Sequence, residues 1–186
     1  MERLVPILYN QITIFNMKAF ITFLIVALSL TAKAQGTDTY ISFINPSILG
    51  PKSLSDGKTG LIEVVGVQYD FQSINNKVLP GSIKLLIDED SMTPEIWSTF
   101  FTSNVPINMN IFQYRTDVKI YMTIKIRNAY INAIRFRANE SEGGKHEIDI
   151  WINQFAFEYK TYGASGLVVS NHTSGWDFVN NLPFNF

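Results

Sequence analysis

The sequence predicts a mainly β protein, a small antiparallel β-barrel with one short flanking helix, and three observations carry that prediction. Residues 119–127 (KIYMTIKIR) alternate almost strictly, with Ile120, Met122, Ile124 and Ile126 on one face. Lys119, Tyr121, Thr123, Lys125 and Arg127 share the other, as a half-buried strand requires. After a Gly143-Gly144 turn, Ile148, Ile150 and Ile152 form a second ladder, and Phe155, Phe157 and Tyr159 continue it on the opposite parity. One extra residue near Asn153 and Gln154 makes that switch, the sequence mark of a β-bulge, and bulged long strands favour a curved sheet.

The elements follow in order. Residues 39–44 read as a first strand, and residues 45–60, with two prolines and three glycines, as a long loop. Residues 61–71 form a second strand with Val65, Val67, Tyr69 and Phe71 on one face. Ile83, Leu85 and Ile87 mark a third after the Leu79-Pro80-Gly81 turn. Thr93 is placed to cap a helix, Pro94 fits its first position, and Glu95 favours its first turn. Ile96, Trp97, Phe100 and Phe101 then fall on one side of that helix, a stripe expected to pack on the barrel wall. Ile107, Met109 and Ile111 begin another alternating strand, the two long strands follow, and residues 167–170 supply the last. No repeat or low-complexity linker divides the domain.

Taken in order, the blocks TYISF, GLIEVVGVQYDF, TPEIWSTFF, KIYMTIKIRNAYI, EIDIWINQFAFEYK and SGWDFVNN resemble the Hcp family, the tube-forming protein of type VI secretion systems. The resemblance spans residues 39–180 and is most specific in the helix-then-strand order and in Gly175, Trp176 and Asp177. It implies a barrel that assembles as homo-hexameric rings stacked into a hollow tube, with small effector cargo in the ring and sheath and spike proteins of the apparatus as partners. It also implies that the long loop reaches toward the neighbouring ring, so Ile48, Leu49 and Leu54 are candidate ring-stacking residues. The opposite reading, that they fold back onto the barrel end, stays open. The chain departs from the family at residues 72–92, which are short and lack a Gly-rich, His-containing stretch, and at the N-terminus.

There, Lys18, the apolar run of residues 19–30 and Ala32-Lys33-Ala34 read as a signal peptide cleaved after Ala34. The run is shorter than the roughly 20 apolar residues of a transmembrane helix, although an uncleaved anchor remains the alternative. Met17 precedes Lys18, so translation starts at Met1 or Met17. Residues 1–34 are thus upstream extension plus signal, residues 35–186 the barrel domain, and the location secreted or periplasmic, with no stable membrane span after cleavage. Tube subunits of the family normally lack such a signal, so an exported paralogue using the same barrel is a variant of this reading.

Cleavage removes Glu2, Arg3, Lys18 and Lys33, so the formal charge moves from -1 to -3. A mildly acidic domain has no basic field for nucleic acid. The absence of cysteine excludes disulfides, thiol catalysis, acylation and Cys-ligated zinc.

The catalytic inventory is thin, and no catalytic, cofactor or metal residues are assigned. His146, beside the Gly-Gly turn, is expected to be solvated. Ser170, His172 and Asp177 have the residue types of a nucleophile, base and orienter, but no Gly-x-Ser-x-Gly elbow accompanies them. Asp88, Glu89 and Asp90 do not match an EF-hand loop and suit the helix N-terminus or solvent. Asn139-Glu140-Ser141 and Asn171-His172-Thr173 read as turn residues. The outer strand faces are basic around Lys119, Lys125, Arg127, Arg135 and Arg137, and acidic around Glu140, Glu142, Glu147, Asp149 and Glu158. Lys125, Arg127, Glu147 and Asp149 are therefore candidate ring-interface charges, against pairing of Arg135 and Arg137 with Glu147 and Asp149 inside one subunit. The leading reading is a non-enzymatic tube component. A secreted monomeric β-sandwich or barrel binding module for glycans or adhesion, using Trp97, Trp151 or Trp176 as a stacking platform, is the alternative.

Overall fold

Ile83, Leu85 and Ile87 are fully buried along one face of a strand, and so are Ile107, Met109 and Ile111 along another and Ile148, Ile150 and Ile152 along a third. Side chains alternate between faces in a strand, so one face of each of these segments turns to a common core. A computed structural model describes residues 38–74, 77–102, 105–115, 119–139 and 143–184. The expected signal, its cleavage site, the choice of start residue, and Glu140 and Glu142 lie outside the described residues.

The elements are β1 (Asp38–Asn45), β2 (Ile62–Val64), β3 (Gly66–Asp70), β4 (Ser73–Ile74), β5 (Lys77–Val78) and β6 (Gly81–Asp88), then a 3-10 turn (Glu89–Ser91) and α1 (Pro94–Phe101). There follow β7 (Ile107–Tyr114), β8 (Ile120–Asn139), β9 (Gly143–Ile152), β10 (Gln154–Tyr162), β11 (Val168–Asp177) and β12 (Leu182–Pro183). Every pairing is antiparallel.

The pairings run β2-β1-β7-β8, then from β8 through β9 and β6 to β3. β2 and β3 are two halves of one segment, bent at Val65, whose N–H donates to the Leu86 carbonyl at 2.9 Å. The wall therefore returns on itself across that bend rather than through one uninterrupted ladder, and the fold is barrel-like. β10, β11 and β12 extend it from the first half of β8.

β8 reaches both parts because it is 20 residues long. Its first half pairs with β7 and β10, its second with β9. The change of direction falls at Asn128, in the left-handed region at φ 51°, a conformation Asn tolerates better than most residues. Its N–H donates to Asn108 Oδ1 at 3.0 Å. Between two paired positions (Ile107 opposite Ala129, Met109 opposite Ile126) one residue of β7, Asn108, faces two of β8, Arg127 and Asn128, so a bulge accompanies the bend.

Two expectations change in detail. The parity switch after Ile152 is a break at Asn153 that separates β9 from β10, not a bulge within one strand. On the second strand, Ile62 and Val64 are buried and Val65 is exposed, while Val67 and Tyr69 pack on the core beyond the bend. The strand expected from Ile83, Leu85 and Ile87 is β6, which lies between β3 and β9.

Candidate functional site

The loop of residues 46–61 is folded, not open. Its neck is pinned by Gly50 N–H to the Gly60 carbonyl (2.9 Å) and by the reciprocal pair Lys52 and Leu61 (2.9 and 3.0 Å). A Cβ on Gly50 would stand 2.2 Å from the Leu61 carbonyl oxygen, so the neck closes only with glycine there. At the tip, Leu54 N–H donates to the Lys58 carbonyl (2.8 Å) and Gly57 N–H to the Leu54 carbonyl (3.1 Å).

Asp56 holds the tip to the barrel. It accepts from Lys58 Nζ (2.7 Å) and from the Tyr114 hydroxyl at the end of β7 (2.8 Å). Partial burial pushes its carboxyl up, but the Lys58 and Tyr114 hydrogen bonds outweigh that and hold it below the usual carboxylate range. Burial, reinforced by the Asp56 charge, drives the Tyr114 phenol above its ordinary value. No periodicity announces either residue, because the contact spans 58 positions.

The three stacking candidates separate on this frame. Ile48 is 2% exposed and belongs to the core, which corrects its placement among outward contacts. Leu49 is 73% exposed, and Leu54 is half-buried.

All four candidate interface charges have partners within the subunit. Arg135 bridges Glu147 (3.1 Å) and Asp149 (2.5 Å), and Arg137 reaches Glu147 at 2.8 Å. Lys125 lies 4.0 Å from Glu158. Arg127 donates to the Met109 and Ile126 carbonyls and to Asn110 Oδ1, at 3.0, 2.8 and 3.2 Å. The intramolecular reading of Arg135 and Arg137 is the one the geometry gives, since Arg135 stands opposite Glu147 in the β8-β9 ladder.

The helix stripe divides. Ile96 is fully buried and Phe100 packs against the core, whereas Phe101 is 73% exposed and stacks on Trp97 at 6.0 Å. Trp97 in turn meets His146 edge-on at 5.7 Å, and the Phe136 ring lies 5.0 Å from the same imidazole. His146 is therefore 8% exposed, not solvated. Thr93 caps α1 by position only, its side chain making no cap hydrogen bond.

Ser170, His172 and Asp177 are strung along β11. At ~3.3 Å per residue, Ser170 and Asp177 stand about 23 Å apart, too far to share a proton. Ser170 instead meets Thr161 Oγ1 at 2.6 Å, and Asp177 accepts from Gln154 and Asn180. Among the described residues no three acidic or imidazole side chains converge on a metal-sized site, and no helix is long and apolar enough to cross a membrane. Of the tryptophans, Trp176 packs on the core and Trp151 stands 59% exposed on β9.

Solved structures share this architecture. The chain resembles the crystal structure of Hcp1 from Salmonella typhimurium at TM-score 0.64 and 12% identity, covering 80% of this chain and 99% of that one. A structure described as a type six secretion system protein matches at TM-score 0.68 and 16% identity, covering 80% and 100%. A type VI secretion system effector from Yersinia pestis matches at 0.61 and 16%, covering 75% and 99%. No protein-family model and no curated protein matches the sequence. The fold is that of the Hcp proteins.

Proposed function

We infer that this chain is a non-enzymatic structural subunit that closes into a homo-hexameric ring, the rings stacking into a tube of a type VI secretion system. The observation that carries the reading is that 99 to 100% of the length of the solved Hcp1 and type six secretion chains finds a counterpart here. A shared fold hosts many functions, so the assembly surface supplies the second support. The pinned loop presents Leu49 to solvent while Ile48 anchors it from beneath, an arrangement suited to a contact between stacked rings. In this reading Leu49 and Leu54 remain stacking contacts, and the paired charges set subunit shape rather than ring closure. The ring interior would hold small effector proteins, with sheath and spike proteins as further partners. The signal-like segment ahead of Gln35 favours a secreted or periplasmic location, and hence an exported relative of the tube subunit.

Light scattering on a gel-filtration peak of the purified chain tests the assembly. A mass of about six subunits supports the ring. A monomer at every concentration overturns it and favours a secreted binding module.

A further inference from the structure

Four strands place a row of unlike groups side by side on the outer face of the wall. In the ladders Asp70 of β3 stands opposite Ser82 of β6, Ser82 opposite Trp151 of β9, and Trp151 opposite Tyr130 of β8. Residues directly opposite in antiparallel strands share a face, so a carboxylate, a hydroxyl, an indole and a phenol form one line. Ile150 and Ile152, flanking Trp151, are fully buried, which fixes the indole as the outward member of β9.

Beside the indole lies a cleft of about 460 Å³, lined by Trp151, Asp70, Gln72, Ser82, Asn153 and the turn at Leu79, Pro80 and Gly81. That volume falls within the roughly 300–1,000 Å³ of small-molecule sites. One wall is braced by the β4-β5 hairpin, closed at its base by Leu79 N–H on the Gln72 carbonyl at 2.9 Å. The floor depends on Gly81, where a Cβ would strike the Phe71 ring at 2.2 Å. Phe71 is itself fixed by Phe155 (4.9 Å) and Phe178 (5.8 Å). The cleft thus has a closely packed floor and one aromatic wall, with a carboxylate, two amides and a hydroxyl around it.

We propose that this cleft binds a β-gluco-configured pyranose sugar, the indole of Trp151 stacking on the sugar face and Asp70, Gln72, Ser82 and Asn153 engaging its hydroxyls. Such a ring carries its axial C–H bonds at positions 1, 3 and 5 on one side, an apolar face for an aromatic plane, and equatorial hydroxyls around its rim. An isolated exposed tryptophan on a strand needs no explanation, whereas one that walls a braced cleft edged by carboxylate, amide and hydroxyl groups matches both halves of that chemistry. Nothing in the proposal depends on ring assembly.

Saturation-transfer difference NMR on the purified full chain, as whatever assembly it forms, tests it with cellobiose and N,N′-diacetylchitobiose as probes and acyclic mannitol as control. The expected result is saturable transfer, strongest at H1, H3 and H5 of one residue, for at least one disaccharide. Trp151→Ala should weaken binding at least ten-fold, and Asp70→Ala, at an exposed position outside the core, should weaken it independently. No transfer to either disaccharide, equal transfer to mannitol, or unchanged binding in a folded Trp151→Ala chain would each overturn the proposal. If Trp151→Ala does not fold, unchanged binding in Asp70→Ala together with Gln72→Ala overturns it.

Discussion

The Tyr114 hydroxyl donates to Asp56 Oδ2 at 2.8 Å, joining the tip of the long loop to the end of β7. The Tyr114 ring is almost fully buried and meets Tyr40 edge-on at 5.6 Å. Tyr114→Phe keeps that packing and removes only the hydrogen bond. Because the acceptor is a carboxylate, the expected loss is about 1.5 kcal/mol. Urea unfolding at neutral pH measures it, and amide exchange at Gly57 and Lys58 should accelerate. An unchanged midpoint together with unchanged exchange would show that the loop is held by its neck alone.

Adjacent residues of the same loop should respond in opposite ways. Ile48→Ala empties a core position and should cost about 2–5 kcal/mol. Leu49→Ser changes an exposed residue and should stay within about 0.5 kcal/mol. In the stacked-ring reading, Leu49→Ser shortens the assemblies seen by electron microscopy without altering the mass of a single ring. Equal destabilisation by the two substitutions would contradict the burial difference.

The wall strands are legible in the sequence because a two-sided strand sees only two environments, and alternation records which residue meets which. Ile120 through Ile126 and Ile148 through Ile152 are the clearest cases. The unread features depend on distant chain. Thr123 is buried on the outer face, where it stands between Phe112 of β7 and Glu158 of β10, and its own strand gives no sign of either. His146 is buried because α1 and β8 bring Trp97 and Phe136 to it, although its sequence neighbours are a Gly-Gly turn and charges. β11 continues well past residues 167–170 to Asp177 because backbone pairing with β10 holds it, not apolar alternation. At the site, Trp151 is legible as an outward residue because Ile148, Ile150 and Ile152 alternate onto the other face, while Asp70 and Ser82 join it only through the ladder register.

The charges of the β8-β9 hairpin should govern subunit stability rather than assembly. Asp149 is buried and its Oδ2 accepts from Arg135, so Arg135→Ala leaves a buried carboxylate without its cation. The expected outcome is a lowered urea midpoint with the same solution mass per particle. A particle that falls apart while its subunits remain folded would return these charges to the ring interface.

Asp177 should make the fold sensitive to acid. The Asn180 N–H (2.9 Å), Gln154 Nε2 (2.8 Å) and Asn180 Nδ2 (2.9 Å) all donate to it and hold its carboxyl below the usual range. A folded-state pKa below the unfolded value of about 3.9 contributes stability that is complete well above that value and is lost as pH falls through the lower folded pKa. Asp177→Asn should therefore be less stable than the parent at pH 7, and the gap should close toward pH 2. Unfolding free energies across that range decide it, and parallel curves would mean the carboxyl titrates alike in both states.

Gly175 is where the C-terminal strap meets the sheet, and it leaves no room for a side chain. A Cβ there would lie 2.2 Å from the Phe184 carbonyl oxygen, 2.6 Å from Ala156 Cβ and 2.8 Å from the Phe155 carbonyl oxygen. Two of those three neighbours are backbone, which cannot rotate away. The strap is fastened at the same residue, Phe184 N–H donating to the Gly175 carbonyl at 3.0 Å, beside the short β11-β12 ladder of Trp176 with Pro183 and Asp177 with Leu182. Of the two sides, β10 is held by a nine-residue ladder and β12 by only two pairs, so the strap yields first. Gly175→Ala should cost about 1–3 kcal/mol, the range for overpacking a close contact, and should release residues 182–184 to protease while β10 and β11 stay paired. Limited proteolysis followed by mass spectrometry reads the release directly. A strap as resistant as in the parent would mean that the sheet itself moves to accommodate the methyl group, and β10 amide exchange should then rise instead.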